Sequence, residues 1–219
     1  PIHLDPVKHV PHMVVAAPWE GSRLQLSTVQ WRHVTKVLRM KSGHQVSYTD
    51  GLGTIGEGVL GHQMIERGDE RSVERPSDIT VAVAPPGNKD RQRFLVEKLA
   101  ELGVARLIWI ETNHGKNRVA SPAKVFSWVH AAVEQSRGAY LMDTSADMVP
   151  IGDLEGDLVF CHPGGATGAP AGVDTVVVGP EGGFAEDELP EGARLWDLGP
   201  TVLRVETAAI MAAISIRGY

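Results

Sequence analysis

From residue 79 onward, short apolar runs alternate with amphipathic helical segments, and this alternation restricts the fold more than any other feature. Ile79–Ala84 (ITVAVA), Arg106–Glu111 (RLIWIE), Leu158–Cys161, Thr175–Val178 and Leu195–Leu198 have the length and branched character of buried parallel strands. Arg91–Leu102 sets Phe94, Leu95, Leu99 and Leu102 on one helical face and stops at Gly103. Ser121-Pro122 opens a second helix reaching about Arg137, and Val205–Ile216 reads as a final apolar helix. Strands alternating with helices predict a mainly parallel α/β sheet.

Ahead of this region the pattern changes. His44–Asp50 and Thr54–Leu60 read as two short strands around an Asp50-Gly51 hairpin signal. Ser27–Arg39 reads as a helix with Ser27 as N-cap and Gly43 beyond its end. Residues 1–72 are therefore expected to form a small, mainly β module, and 77–219 the α/β domain. Glu66–Asp78, charged and carrying Pro76, reads as a linker or as an edge strand. Gly164–Gly172, almost all Gly, Ala and Pro, reads as a flexible loop.

Composition narrows the function. Lys and Arg number 21 against 27 Asp and Glu, a net charge of −6, which excludes a uniformly basic nucleic-acid coat but not a local patch. Cys161 is the single cysteine, so neither an internal disulfide nor a multi-cysteine zinc site is available. The histidines show no metal-ligand spacing, so no metal is expected. No apolar run approaches the roughly 20 residues that span a bilayer, and Pro1–His12 lacks a signal-peptide layout. A soluble, cytoplasmic protein without a membrane partner is the expectation.

The sharpest local feature is Val176–Phe184 (VVVGPEGGF), a buried strand running straight into a glycine-rich turn. Ligands of open α/β sheets bind at that end of the strands. The turn has neither the Lys-Ser/Thr of a P-loop nor dinucleotide spacing, and the acid-rich Ala185–Leu189 after it looks helical. Leu195–Thr201 repeats the strand-and-turn arrangement, with Arg204, Glu206 and Thr207 at the start of the last helix. Arg204 either pairs with Glu206 and the helix end or serves a ligand. Two basic stretches stand out from the acidic background. Gly21–Gly43 holds Arg23, Arg32, Lys36, Arg39 and Lys41 with no acid, and a regular helix puts Arg32, Lys36 and Arg39 on one face beside Trp31 and His33. Thr112–Val133 is likewise acid-free and leads into Glu134-Gln135-Ser136-Arg137. Phosphate contacts suit such faces.

Gly179–Phe184 (GPEGGF) followed by Leu198–Ala212 (LGPTVLRVETAAIMA) resembles the paired C-terminal motifs of the RsmE family of SPOUT-class methyltransferases. His33–Gly43 (HVTKVLRMKSG), Lys89–Gly103 (KDRQRFLVEKLAELG) and Glu134–Arg137 (EQSR) are similar to three further family segments in the same order. Departures fall at Pro11–Val14, His114–Asn117, Pro200 and Val205. The resemblance implies a PUA-like β-barrel for RNA binding, then a trefoil-knotted, mainly parallel α/β domain, usually as a homodimer. It implies methylation by S-adenosylmethionine of N3 of uridine 1498 in 16S rRNA of the small ribosomal subunit. A ribose 2′-O-methyltransferase of the same class and a non-catalytic RNA-binding or ribosome-assembly module are the rival readings.

By the same resemblance, Gly179, Pro180, Glu181, Gly182 and Gly183 form one wall of the cofactor site. Leu198, Gly199, Val202, Leu203 and Arg204 form the other, Thr207 and Ala208 lie just beyond, and Cys161–Pro163 with His162 supply a third side. Arg204 is expected to stabilise the uridine anion, with Glu206 or Glu134 as base or orienting group. Arg23, Arg32, His33, Lys36, Arg39, Lys41 and Arg137 are expected to grip RNA.

Overall fold

Two separate sheets, of five and seven strands, organise the computed structural model, which describes residues 10–217. Residues 1–9 of the expected N-terminal module and 218–219 of the expected C-terminal domain lie outside the described residues. The chain divides into two compact units, residues 10–75 with Val133–Tyr140, and Pro76–Ala132 with residues 141–217. The first unit thus takes a segment, Val133–Tyr140, that a single boundary near 72–77 assigns elsewhere.

The first unit is built on a five-stranded sheet ordered β1-β3-β4-β5-β2, from β1 (His12–Val14), β2 (Arg23–Gln25), β3 (Gln45–Thr49), β4 (Thr54–Leu60) and β5 (Met64–Ser72). The β3–β4 hairpin turns as its sequence suggests: the Asp50 carboxylate accepts from the amides of Leu52 and Thr54. β5 runs through Glu66–Ser72, so over that length the charged stretch takes the strand reading and not the linker one, paired with β4. Its charges are tolerated because this half of β5 is largely exposed, and Arg67 and Glu70 pair across 2.8 Å. Tyr48, fully buried, sits in a core with Val46, Leu60 and Ile65, and its hydroxyl donates to Glu70 at 2.8 Å.

Ser27 caps α1 (Thr28–Arg32) through a reciprocal capping box with Gln30. The helix then widens into a π-helical turn over His33–Val37, where the Leu38 amide reaches back to the His33 carbonyl. The Thr35 hydroxyl donates to the Trp31 carbonyl at 2.7 Å, competing with the ladder at this point. Arg39 lies past the helix with φ 55°, so the regular stripe of Arg32, Lys36 and Arg39 does not form.

The second unit carries a parallel sheet in the order β12-β10-β11-β6-β7-β8. Its strands are β6 (Thr80–Val83), β7 (Arg106–Glu111), β8 (Asp143–Thr144), β9 (Val149–Pro150, also on β7), β10 (Leu158–Thr167), β11 (Thr175–Val178) and β12 (Leu195–Asp197). The helices are α2 (Lys89–Glu101), α3 (Pro122–Ser136, whose last turn clusters with the first unit) and α4 (Val205–Arg217). α4 packs on α2, β6 and β11 through Ala208, Ala209, Ala212 and Ala213, small side chains that let the helix approach the sheet closely. The other sheet face buries Ala82, Ile110, Phe160 and Val177.

Three expectations change here. Phe94 is 47% exposed, and Gln92, on the neighbouring face of α2, is buried instead. Its amide donates to the Pro86 and Arg118 carbonyls and accepts from Ala120, so a polar side chain earns its burial by tying down two loops. Gly164–Thr167 is the second half of β10, not loop. Cys161 and Ala166 both register with Trp196, so residues 162–165 bulge out of the pairing. A Cβ on Gly165 would stand 2.5 Å from the backbone of Leu195 and Trp196, an approach only glycine permits. Ala185–Leu189 forms turns rather than a helix, its acids drawn into local bonds such as Ala185 amide to Glu188 at 2.7 Å.

One ion-pair cluster joins three elements. Arg91 on α2 meets Glu206 of α4 through two bonds of 2.9 and 2.7 Å, and Glu181 in the turn after β11 at 2.9 Å. Burial alone would raise the Glu206 carboxyl. The Arg91 bonds, a bond from its own backbone amide and the charges of Arg91 and Arg204 outweigh this and hold it below the usual carboxylate range. A depressed folded value means its contribution to stability is present at neutral pH and is lost as pH falls through the folded-state value.

Two outcomes are expected. Arg91→Gln should destabilise the protein by about 1–3 kcal/mol at pH 7, because Glu206 is left charged, buried and unpaired, and the gap from the unaltered protein should shrink on acidification in urea titrations. Gly165→Ala should cost about 1–3 kcal/mol by forcing β10 and β12 apart, seen as an earlier denaturation midpoint.

Candidate active site

Three neighbouring parallel strands, β12, β10 and β11, end side by side, and the backbone beyond them must turn away from the sheet. The space so created is a cavity of about 390 Å³ in the second unit. Its walls are the turn Gly179–Phe184 after β11, the segment from Asp197 to Leu203 after β12, and the Cys161–Pro163 bulge of β10, with Val205 and Ala208 of α4. This is the position ligands take in open α/β sheets.

The first wall is shaped by its glycines. The Gly183 amide donates to the Pro180 carbonyl at 2.9 Å, closing a turn, and the chain leaves it with Gly183 at φ +72°, where a glycine is favoured. A Cβ on Gly179 would meet the Phe184 ring at 3.0 Å, so Gly179 makes room for Phe184 to pack edge-on against Phe160, 5.7 Å between centroids. The segment after β7 braces this wall from outside. His114 Nδ1 bonds the Gly183 carbonyl at 3.1 Å, and the Asn113 amide donates to Glu188.

The other two walls are joined by Asp197. One carboxylate oxygen accepts from the Gly199 amide at 2.9 Å, the other from the Gly164 amide at 3.2 Å. These two bonds, with the nearby His162 charge, hold its carboxyl below the usual range against a smaller effect of burial. His162 Nδ1 lies 2.6 Å from the Pro163 carbonyl. Burial pushes the Cys161 thiol up to about 12, which leaves it protonated and a poor nucleophile.

The cavity gathers most of the expected cofactor residues: Gly179, Pro180, Glu181, Gly182 and Gly183 on one side, Leu198, Gly199, Val202 and Leu203 on another, with His162 and Ala208. Thr207 is exposed and lies outside the lining. Arg204 is also exposed. Its carbonyl accepts the first α4 bond from Ala208 at 2.9 Å, while its guanidinium has no hydrogen-bond or ion-pair partner among the described residues. Neither Arg204 nor Glu206 lines the cavity, and Glu206 is taken up by Arg91.

The remaining expected residues belong to the first unit. Arg23, Arg32, His33, Lys36, Arg39, Lys41 and Arg137 are all exposed. Arg137, at φ 59°, donates to the Val10 carbonyl at 2.8 Å. Glu134 is part-buried and accepts from the Val14 amide at 3.2 Å. Burial raises its carboxyl more than the Val14 bond and the His33 charge lower it, so Glu134 gains a proton more readily than an ordinary glutamate. Sequence reasoning missed Arg91, Asp197 and Phe184. Asp197 had a readable signal, an Asp two residues before a glycine at a strand end, where it bonds the backbone locally. Arg91 had none, because its partners are 90 and 115 residues away. Among the described residues no His, Cys, Asp and Glu group is arranged to hold a metal, and no helix is long and apolar enough to cross a membrane.

The model of the RNA methyltransferase domain family matches residues 73–155 and 159–217. A ribosomal RNA small subunit methyltransferase E from Mycobacterium bovis is 32% identical, over 82% of this chain and 80% of that protein. The enzyme of the same name from Rickettsia conorii is 26% identical over 90% of this chain and 91% of its own. The crystal structure of a ribosomal RNA small subunit methyltransferase E from Neisseria gonorrhoeae, bound to S-adenosyl methionine, shares the fold with a TM-score of 0.82 at 23% identity, covering 96% of this chain and 98% of that one. The chain belongs to the RNA methyltransferase domain family, among the ribosomal RNA small subunit methyltransferases E.

Proposed function

We propose that the chain binds S-adenosylmethionine in the cavity at the ends of β10, β11 and β12 and methylates N3 of uridine 1498 in 16S rRNA of the small ribosomal subunit. The observation that carries the reading is the cavity itself, walled by two glycine-bearing turns at the ends of β11 and β12, the strands on either side of β10, in a chain of this family. Its residues suit that cofactor. Val178, Pro180, Phe184, Leu198 and Leu203 offer apolar walls to an adenosine, exposed turn backbone offers hydrogen bonds to its edge, and Glu181 and Asp197 offer negative charge to the cationic end.

The cofactor, when bound, supplies a methyl group made electrophilic by a sulfonium. What the chain adds is position and charge. N3 of a uridine must lose its proton before it can accept a methyl group, leaving negative charge on the base. Arg204, exposed beside the cavity wall and free of a protein partner among the described residues, is the residue we assign to hold that charge at a carbonyl oxygen. Glu206 is kept ionised and fixed by Arg91, which suits an orienting role better than proton removal. Glu134, in the first unit, has a raised carboxyl and so takes up a proton more readily than Glu206. We read the first unit as the PUA-like RNA-binding module, its exposed Arg23, Arg32, His33, Lys36, Arg39, Lys41 and Arg137 meeting phosphates. The trefoil knot and the homodimer belong to the same proposal.

The test is transfer of labelled methyl from S-adenosylmethionine to small subunits lacking the modification, with digestion and identification of the nucleoside. N3-methyluridine at position 1498 is expected. A methylated ribose would replace the reading with a 2′-O-methyltransferase, and no transfer with RNA still bound would replace it with a binding module. Arg204→Ala should lower turnover at least about 100-fold while the cofactor dissociation constant stays near that of the unaltered protein by calorimetry. Joint loss of both would refute the role. Replacing Arg32 and Lys36 by Ala together should weaken subunit binding and flatten its dependence on salt, without altering cofactor affinity.

A further inference from the structure

Among the described residues, two carboxylates and no lysine or arginine line the cavity. The two are not equivalent. Glu181 is paired with Arg91 at 2.9 Å, a guanidinium it shares with Glu206. Asp197 accepts from backbone amides only, Gly199 on one oxygen and Gly164 on the other, and makes no ion pair among the described residues. Those amides come from two different walls, the turn after β12 and the β10 bulge, so the carboxylate is held between them and cannot swing out to solvent without breaking a bond to one of them. Its negative charge is therefore fixed at the cavity, where His162 is the nearby group that acts on it, and is available to a ligand.

We infer that Asp197 determines charge specificity in this site, favouring a ligand with a net positive charge and so favouring S-adenosylmethionine over the product S-adenosylhomocysteine. The inference rests on the proposed function. In the transfer, the carbon–sulfur bond of the methyl group breaks, its electron pair stays on sulfur, and the deprotonated N3 supplies the pair for the new nitrogen–carbon bond. The sulfonium becomes a neutral thioether and the ligand loses one unit of positive charge. Asp197 attracts the cofactor before transfer and loses much of that attraction afterwards, which eases exchange of product for fresh cofactor.

Calorimetric titration of the full chain with each molecule separately tests this without turnover. Asp197→Asn removes the charge at nearly constant shape. It should raise the ratio of the S-adenosylmethionine to the S-adenosylhomocysteine dissociation constant roughly three- to tenfold, the effect of one charge several ångströms away in a partly solvated site. Because Asn offers one acceptor to two amides, a salt series on the unaltered protein provides a second reading. Rising ionic strength should move the ratio in the same direction. A ratio unmoved by both the substitution and salt would overturn the inference. Failure of the unaltered chain to bind either molecule would overturn the proposed function, and this inference with it.

Discussion

Arg91 is the residue on which the geometry of the cavity turns. One guanidinium holds the start of α4 through Glu206 and the glycine turn after β11 through Glu181, and a single nitrogen meets both acids. Without it, two carboxylates converging on one point would repel, and one of them is buried. The planar fork of arginine suits this task, since it offers parallel donors to one carboxylate and a further donor to another, where a lysine would present a single point charge. Glu206 also stands in the first turn of α4, where negative charge is favoured by the helix dipole. The same ion pair therefore closes the helix end and fixes one wall of the cavity.

The other walls follow the same economy. Asp197 bonds one amide in the turn after β12 and one in β10, Gly165 lets β10 pass beside β12, and His114 braces the glycine turn from outside. Each fixes backbone around the cavity, so its glycine turns and the apolar side chains between them are held in place. Such a surface is prearranged, and ligand binding has little ordering to do. The charge we assign to the substrate stands apart from this scaffold. Arg204 is outside the lining and uncommitted among the described residues, as a residue must be if it is to meet a substrate rather than the cofactor.

Much of this was legible in the residues alone. β6, β7, β11 and β12 fall where short apolar runs stand, and the ends of α2 and α4 lie within a few residues of the expected positions, because buried strands and capped helices write local signals. The motif Gly179–Phe184 lines the cavity with most of Leu198–Leu203, as its place at a strand end suggests. What escaped was non-local. The pairing of Gly164–Thr167 depends on β12, and composition there favours a loop. The π-helical turn depends on Thr35 reaching back to Trp31, which helical spacing does not register. Gln92 earned a buried place from loops up to 28 residues away. The exposed half of β5 reads equally as a linker or an edge strand, because alternation on a charged strand carries no hydrophobic signal.

The most direct measurement is hydrogen–deuterium exchange of the full chain with and without S-adenosylmethionine. Binding in the cavity predicts slower exchange in peptides covering Gly182–Phe184, Leu198–Leu203 and the Cys161–Gly165 bulge, with the exposed amides of residues 23–41 unchanged. Protection confined to other segments, or none at saturating cofactor, would contradict the placement of the site at these strand ends.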